Sequence, residues 1–342
     1  MWSKNFINRN IYILIILIIK NMNILKDKID EKLLILLDKN PIMPISMIAK
    51  QLRISQQRAH FRIQRLITRG IITQFGTIIN LKAIGLEQYR IFFSFNSHED
   101  ILKIKIFEYL KQYDGVYWAG RIGGKYDLTI TLFVQNFEQF DLFIDRFNKK
   151  FSQLIKEYQS CYGINYYLYR HKYLGESQDI FTYGYTDTIQ KIDDLDNYIL
   201  QRIKNNARIS SLEIAQNHKV SYKTIINRIK AMKSKKIILG HRLFIHDKIM
   251  QPAMLLISFR NYLLQTEQQL IAYLHKKTEV TQTIRLYGSW NLLIHLRTQN
   301  NEELQQFIIN LRDKFDIIDS FEIIPIFEDI AIDLFPIKNN PL

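Results

Sequence analysis

At 342 residues, with 47% apolar and 13% aromatic side chains, the chain has enough hydrophobic mass for two or more domains, which excludes global disorder. Its single cysteine, Cys161, excludes a disulfide framework and a cysteine-based metal site and fits a reducing, cytoplasmic compartment. The net charge of +14 sits in two blocks, +6 over residues 27–86 and +8 over 191–250 with a neutral remainder, which argues for a polyanion held at two places.

The first pattern in chain order is the apolar run "IYILIILII" (11–19), between Arg9 and Lys20. It is too short for a bilayer, which takes about 20 residues, and no small-residue cleavage site follows it. Residues 1–26 are expected to form an extension outside the fold, with translation starting at Met22, and no membrane partner is expected.

From residue 27 the chain is written twice, at an offset of about 165 residues, too long for a solenoid repeat. "KIDEKLLILLDKN" (28–40) aligns with "DLDNYILQRIKNN" (194–206), and "RIQRLITRGII" (62–72) with "RIKAMKSKKII" (228–238). Each copy opens with three helical patterns. Asp30 and Asp196 are candidate caps of the first, ahead of Leu33, Leu34 and Leu37 or Ile199, Leu200 and Ile203. The second is short, and after a three-residue break Ser55 or Ser221 caps the third. A β-branched stretch with a central glycine follows, "IITQFGTIIN" or "IILGHRLFIH", and reads as a two-stranded wing. These patterns define winged helix-turn-helix units at 27–86 and 191–250.

The period then changes to strand–helix–strand–strand–helix–strand, a ferredoxin-like βαββαβ unit, over 87–174 and again over 251–336. The fold class is therefore α+β, two copies of one two-domain plan. Residues 175–190 read as a linker between copies, long enough to let the halves be arranged freely, and 337–342 as a tail.

A helix after a short turn can enter a major groove. The third helices keep Ala59, Ile63 and Leu66, or Ile225, Ile229 and Met232, for the core. Left for a partner, starting from the caps, are Ser55, Gln56, Gln57, Arg58, His60, Arg62, Arg65 and Arg69 in one copy. The other offers Ser221, Tyr222, Lys223, Thr224, Asn227, Arg228 and Lys230. Amide and basic side chains near a helix start reach base edges, and later basic ones reach phosphates. Neither helix contains an Asp or Glu, whereas a merely solvated face mixes signs. Double-stranded DNA is the expected partner, and the unlike faces imply an asymmetric site.

"RIGGKYDLTI" (121–130) returns as "RLYGSWNLLI" (285–294), a turn between two central strands. The order of a helix-turn-helix, a wing and a βαββαβ unit with this turn resembles the Lrp/AsnC family, the leucine-responsive or feast/famine transcription regulators, over nearly the whole chain. The resemblance implies that the βαββαβ domains pair and bind small effectors such as amino acids. It carries over to Gly123, Gly124, Tyr126 and Asp127, and to Gly288, Trp290 and Asn291. Family members are single-copy chains that dimerise, so a tandem would be an intrachain pseudo-dimer or a homo-oligomer. Asn291 in place of Asp127 leaves copy two without a carboxylate for an effector ammonium, so the retained pocket is expected beside Asp127 and Gly123.

Fused proteins of this plan also resemble siroheme decarboxylases of the haem pathway, which need His and Arg near a tetrapyrrole carboxylate. The corresponding stretches hold Arg121 or Arg285 and no His, while His295 follows in the strand and reads as a packed or surface residue. No phosphate loop, HExxH or nucleophile elbow is present. His241 and His246, five apart on a strand, face opposite ways. Cys161 reads as a core residue, and the Phe/Tyr-rich strands as packing surfaces. No enzyme activity, metal or cofactor is expected.

Overall fold

The computed structural model describes residues 27–96, 100–172, 174, 179–184, 186, 188–245, 250–260 and 263–337. The apolar run at 11–19 and His246 lie outside the described residues. Among those described, no helix is long and apolar enough to cross a membrane.

The first helix-turn-helix comprises α1 (Lys28–Lys39), α2 (Ile45–Leu52) and α3 (Gln56–Thr68). The expected apolar residues of α1 and α3 are buried together. Ser55 Oγ accepts from the Arg58 N–H, closing the first turn of α3 as anticipated. The α2–α3 turn passes through Arg53 at φ 54°, and copy two repeats this at Lys219, φ 55°. The copy-two helices are α6 (Asp194–Ile203), α7 (Ser211–His218) and α8 (Tyr222–Ser234). The caps of α1 and α6 are Asp27 and Asp193, not Asp30 and Asp196, which lie inside the first turns, buried.

The wings differ from the expected hairpins. Each stretch is one strand, β1 (Ile72–Ile79) or β7 (Ile238–Ile245), and the two pair antiparallel with each other, Phe75 opposite Leu243 and Thr77 opposite His241. Gly76 makes no turn. A side chain there would meet Phe244 and Leu334 at 2.5 Å, so the glycine permits close packing over the ribbon. Each strand starts on its own helix-turn-helix and ends on the other's. Ile72 and Phe75 pack in the first core and Ile79 in the second, while Ile238 packs in the second and Leu243 and Ile245 in the first.

The βαββαβ order holds in both copies. The first unit runs β2 (Glu87–Phe95), α4 (Asp100–Gln112), β3 (Val116–Ile122), β4 (Leu128–Val134), α5 (Phe137–Phe151) and β5 (Ile155–Tyr169). The second runs β8 (Gln251–Phe259), α9 (Leu264–His275), β9 (Val280–Gly288), β10 (Leu292–Thr298), α10 (Asn301–Lys314) and β11 (Ile318–Ile332). The two units form one sheet. The long strands cross over, β5 pairing with β9 and β11 with β3, and β2–β5 pairing closes the ring β2-β4-β3-β11-β8-β10-β9-β5. Because side chains alternate along strands, one set of residues faces the outer helices. The other set, with Phe92, Met254, Leu256 and Leu293, faces the barrel interior.

The segment expected to be a slack linker contains β6 (Ile180–Tyr183), which pairs with the end of β5 and stacks Tyr183 on Tyr166 at 4.5 Å. The halves are interlocked rather than freely arranged. Cys161 is buried in the barrel, where desolvation raises its thiol pKa, the opposite of an activated nucleophile.

Candidate nucleic-acid interface

Along α3, Gln56, Gln57, Arg58, His60 and Arg69 are exposed, and so is Phe61, which the sequence reading passed over. Along α8, Tyr222, Lys223, Asn227 and Lys230 are exposed, joined by Lys233. The caps Ser55 and Ser221 hold helix N–H groups, and the Thr224 hydroxyl bonds to Ser221 Oγ at 2.8 Å.

Arg62 and Arg228 are each drawn into ion pairs with the aspartates that open the first helix of their copy. Arg62 Nη1 donates to Asp27 at 2.5 Å and to Asp30 at 2.6 Å, with the Arg62 side chain only 12% exposed. Arg65 joins it on Asp30. Copy two repeats the clamp, Arg228 Nη1 reaching Asp193 at 2.6 Å and Asp196 at 3.3 Å. The Arg62 guanidinium holds Asp27 below the usual carboxylate range, while burial and the neighbouring Asp193 raise Asp196. A carboxylate in the first turn of α1 or α6 is favoured by the helix dipole and fixes the third helix against the first. These ion pairs hold the third helix of each copy against the first, while the side chains of Arg65 and Arg228 keep about a third of their surface exposed.

The side chains of the repeated turn are engaged in the fold. Tyr126 is buried and its hydroxyl donates to Gln159 Oε1 at 2.5 Å. Asp127 Oδ2 accepts the Phe95 N–H at 2.8 Å, and Asn291 Oδ1 accepts the Phe259 N–H at 2.7 Å. The backbone of each turn makes matching bonds, Asp127 N–H to Phe93 O and Asn291 N–H to Ile257 O. Gly123 donates to Pro325 O of β11, and a side chain on it would strike the Phe327 ring at 2.7 Å. Gly124 takes φ +83°. Gly288 sits opposite Cys161 of β5, and Trp290 is half-buried against the barrel core. The turns thus stitch each unit to the other unit's long strand. Asp127 and Asn291 accept equivalent backbone hydrogen bonds, so the two turns share one role in the fold. Arg121 and Arg285 are both engaged, with Glu328 at 3.3 Å and with buried Glu267 at 2.9 Å.

Residues 26–73 match the family described as winged helix-turn-helix DNA-binding. An uncharacterised HTH-type transcriptional regulator of Pyrococcus abyssi is 30% identical over 114 residues, covering 33% of this chain and 76% of that protein. The regulatory protein AsnC of Escherichia coli is 29% identical over 144 residues, 40% of this chain and 91% of AsnC. A relative spans less than half of this chain yet most of its own length, as a duplicated chain requires. A crystal structure of the siroheme decarboxylase NirDL superposes with a TM-score of 0.63 at 13% identity, over 90% of this chain and 96% of that one, a likeness of fold. With its helix-turn-helix match, these relatives and its twice-written plan, the chain belongs to the Lrp/AsnC family of transcriptional regulators, in tandem form.

Proposed function

We propose that the protein is a sequence-specific, DNA-binding transcription regulator, located in the cytoplasm, whose βαββαβ barrel takes a small effector. The observation that carries the DNA reading is the pair of exposed, carboxylate-free faces on α3 and α8. Each is held by a helix-turn-helix core and an aspartate clamp. Gln57, Arg58 and His60 in one copy and Lys223, Asn227 and Lys230 in the other are unlike, so the preferred site is asymmetric.

For the alternative, a catalytic role, the residues that suggested it are Arg121, Arg285 and His295. Arg121 and Arg285 are held in ion pairs, and burial with Arg90 nearby keeps His295 well below its ordinary pKa, a poor proton donor near neutral pH. We read the chain as a regulator and not an enzyme.

The test is retention of duplex DNA by the full chain across salt. Each phosphate neutralised contributes a log–log slope of about −0.9, so affinity should fall steeply between roughly 50 and 200 mM salt. Tight binding that ignores salt would sink the reading.

A further inference from the structure

A cavity of about 560 Å³ lies where the inner face of the barrel meets the β1–β7 ribbon, within the roughly 300–1,000 Å³ range of small-molecule sites. Its wall includes Gln88 and Arg90 of β2, Trp118 of β3, Thr131 of β4, Arg242 of β7 and His295 of β10.

Arg90 is the anomaly. It is 3% exposed, and no carboxylate among the described residues pairs with it. Its Nη2 donates to Nε2 of His295 at 3.2 Å, from the other copy, and its guanidinium lies 5.0 Å from the Trp118 ring. Its Nε and Nη1 have no partner, nor do Gln88 Oε1 and Thr131 Oγ1 beside it. Burying a cation without a counter-charge is costly, and orphaned buried polar groups are rare in native folds. Water could satisfy the donors but would not neutralise the charge. The acidic residues at the cavity wall are already engaged, Asp329 by the Trp118 indole at 2.8 Å and Glu328 by Arg121.

The duplication supplies an internal control. Arg90 is the fourth residue of β2, and the fourth residue of β8 is Met254, fully buried. The fourth residue of β4 is Thr131, and that of β10 is His295. Arg90 faces Thr131 across the ladder just as Met254 faces His295. The fold therefore accepts an apolar side chain at Arg90's position, and something other than folding accounts for the cation.

We propose that this cavity binds a small organic anion, its acidic group on the Arg90 donors and its apolar or aromatic body against Trp118. This gives the effector part of the proposed function a place and a ligand class and rests on that part. The test contains no DNA, so its failure and that of the DNA reading are separable.

The probe is 8-anilinonaphthalene-1-sulfonate, titrated into the full chain. One saturable, fluorescence-enhancing site per chain is expected, displaced by 2-naphthoate and not by the neutral 2-naphthalenemethanol. Arg90→Met, which installs the residue of the other copy, should bind about tenfold or more weakly. It should also melt higher, because an uncompensated buried charge is gone. Equal displacement by the neutral alcohol, unchanged binding in R90M, or an R90M chain that melts lower or fails to fold would each overturn the proposal. The displacement series on the unaltered chain tests it without any variant.

Discussion

Asp127 and Asn291 differ in charge and make the same bond: each side-chain oxygen accepts the backbone N–H at the end of the neighbouring strand, Phe95 at 2.8 Å or Phe259 at 2.7 Å. Asp127→Asn should therefore leave stability within about 0.5 kcal/mol, while Asp127→Ala, which strands that N–H, should cost about 1–2 kcal/mol. Urea unfolding of both variants checks this. A large loss in D127N alone would show that the charge matters.

The aspartate clamp separates two kinds of arginine on α3. Arg62→Ala leaves Asp30 buried with only Arg65 to answer it, and should destabilise the chain by about 2–4 kcal/mol. Arg58→Ala removes an exposed side chain and should leave the melting temperature unchanged while weakening DNA binding. Thermal melts and DNA titrations of the same two proteins distinguish them. Arg62→Ala that melts like the parent but binds DNA poorly would restore Arg62 to the interface.

The exposed N-terminal residues of α3 and α8 are expected to set base preference rather than overall affinity. Gln56→Ala and Tyr222→Ala should each change the sequences recovered from a random duplex pool on one side of the site only. Recovery of a perfect inverted repeat by the parent chain would contradict the unlike faces.

The ribbon makes the halves interdependent. A chain ending at residue 190 lacks Leu243 and Ile245 from its first helix-turn-helix core and the β9 partner of β5. It is expected to show no cooperative unfolding transition by circular dichroism, whereas the full chain unfolds cooperatively. A stable, monomeric half would show that the swapped strands are dispensable.

Acid should weaken the fold through its histidines. Burial lowers the pKa of His171, His295 and His241, the last to about 4. His171 Nδ1 lies 2.7 Å from the Asp38 carboxylate. Below about pH 6.5 the unfolded chain takes up protons at these positions and the folded chain does not. Stability present at neutral pH is therefore lost as pH falls, by up to about 1.4 kcal/mol per pH unit for each histidine. Urea midpoints should drop between pH 7.5 and 5.5, and His241→Gln should flatten part of that slope.

Much of this was legible in the sequence because its signals are local. The 3.6-residue spacing of Leu33, Leu34 and Leu37, the caps Ser55 and Ser221, and the strand–helix alternation after Leu86 each declare themselves within a dozen residues. The pairing of β1 with β7 does not. "IITQFGTIIN" has the same pattern whether it folds on itself or meets a strand well over a hundred residues away. Asp30 looks like the cap, but Asp27, three residues earlier, accepts the Ile29 N–H, and Arg62 from α3 ties both aspartates together. Arg90 did leave a trace, a cation in step with Phe92 inside "YRIFFSF". Its meaning needed the closed ring, which turns that face inward, and His295 from the other copy, 205 residues on.

The exchanged strands β1 and β7 have a consequence for dosage. Two separate chains must first find each other, so occupancy of a paired site falls with the square of a scarce regulator's concentration. Here both reading helices leave the ribosome on one frame, each core completed by a strand of the other copy. If one chain alone fills the paired site, occupancy would follow the first power of the protein's abundance, at copy numbers where a two-chain version would fall apart.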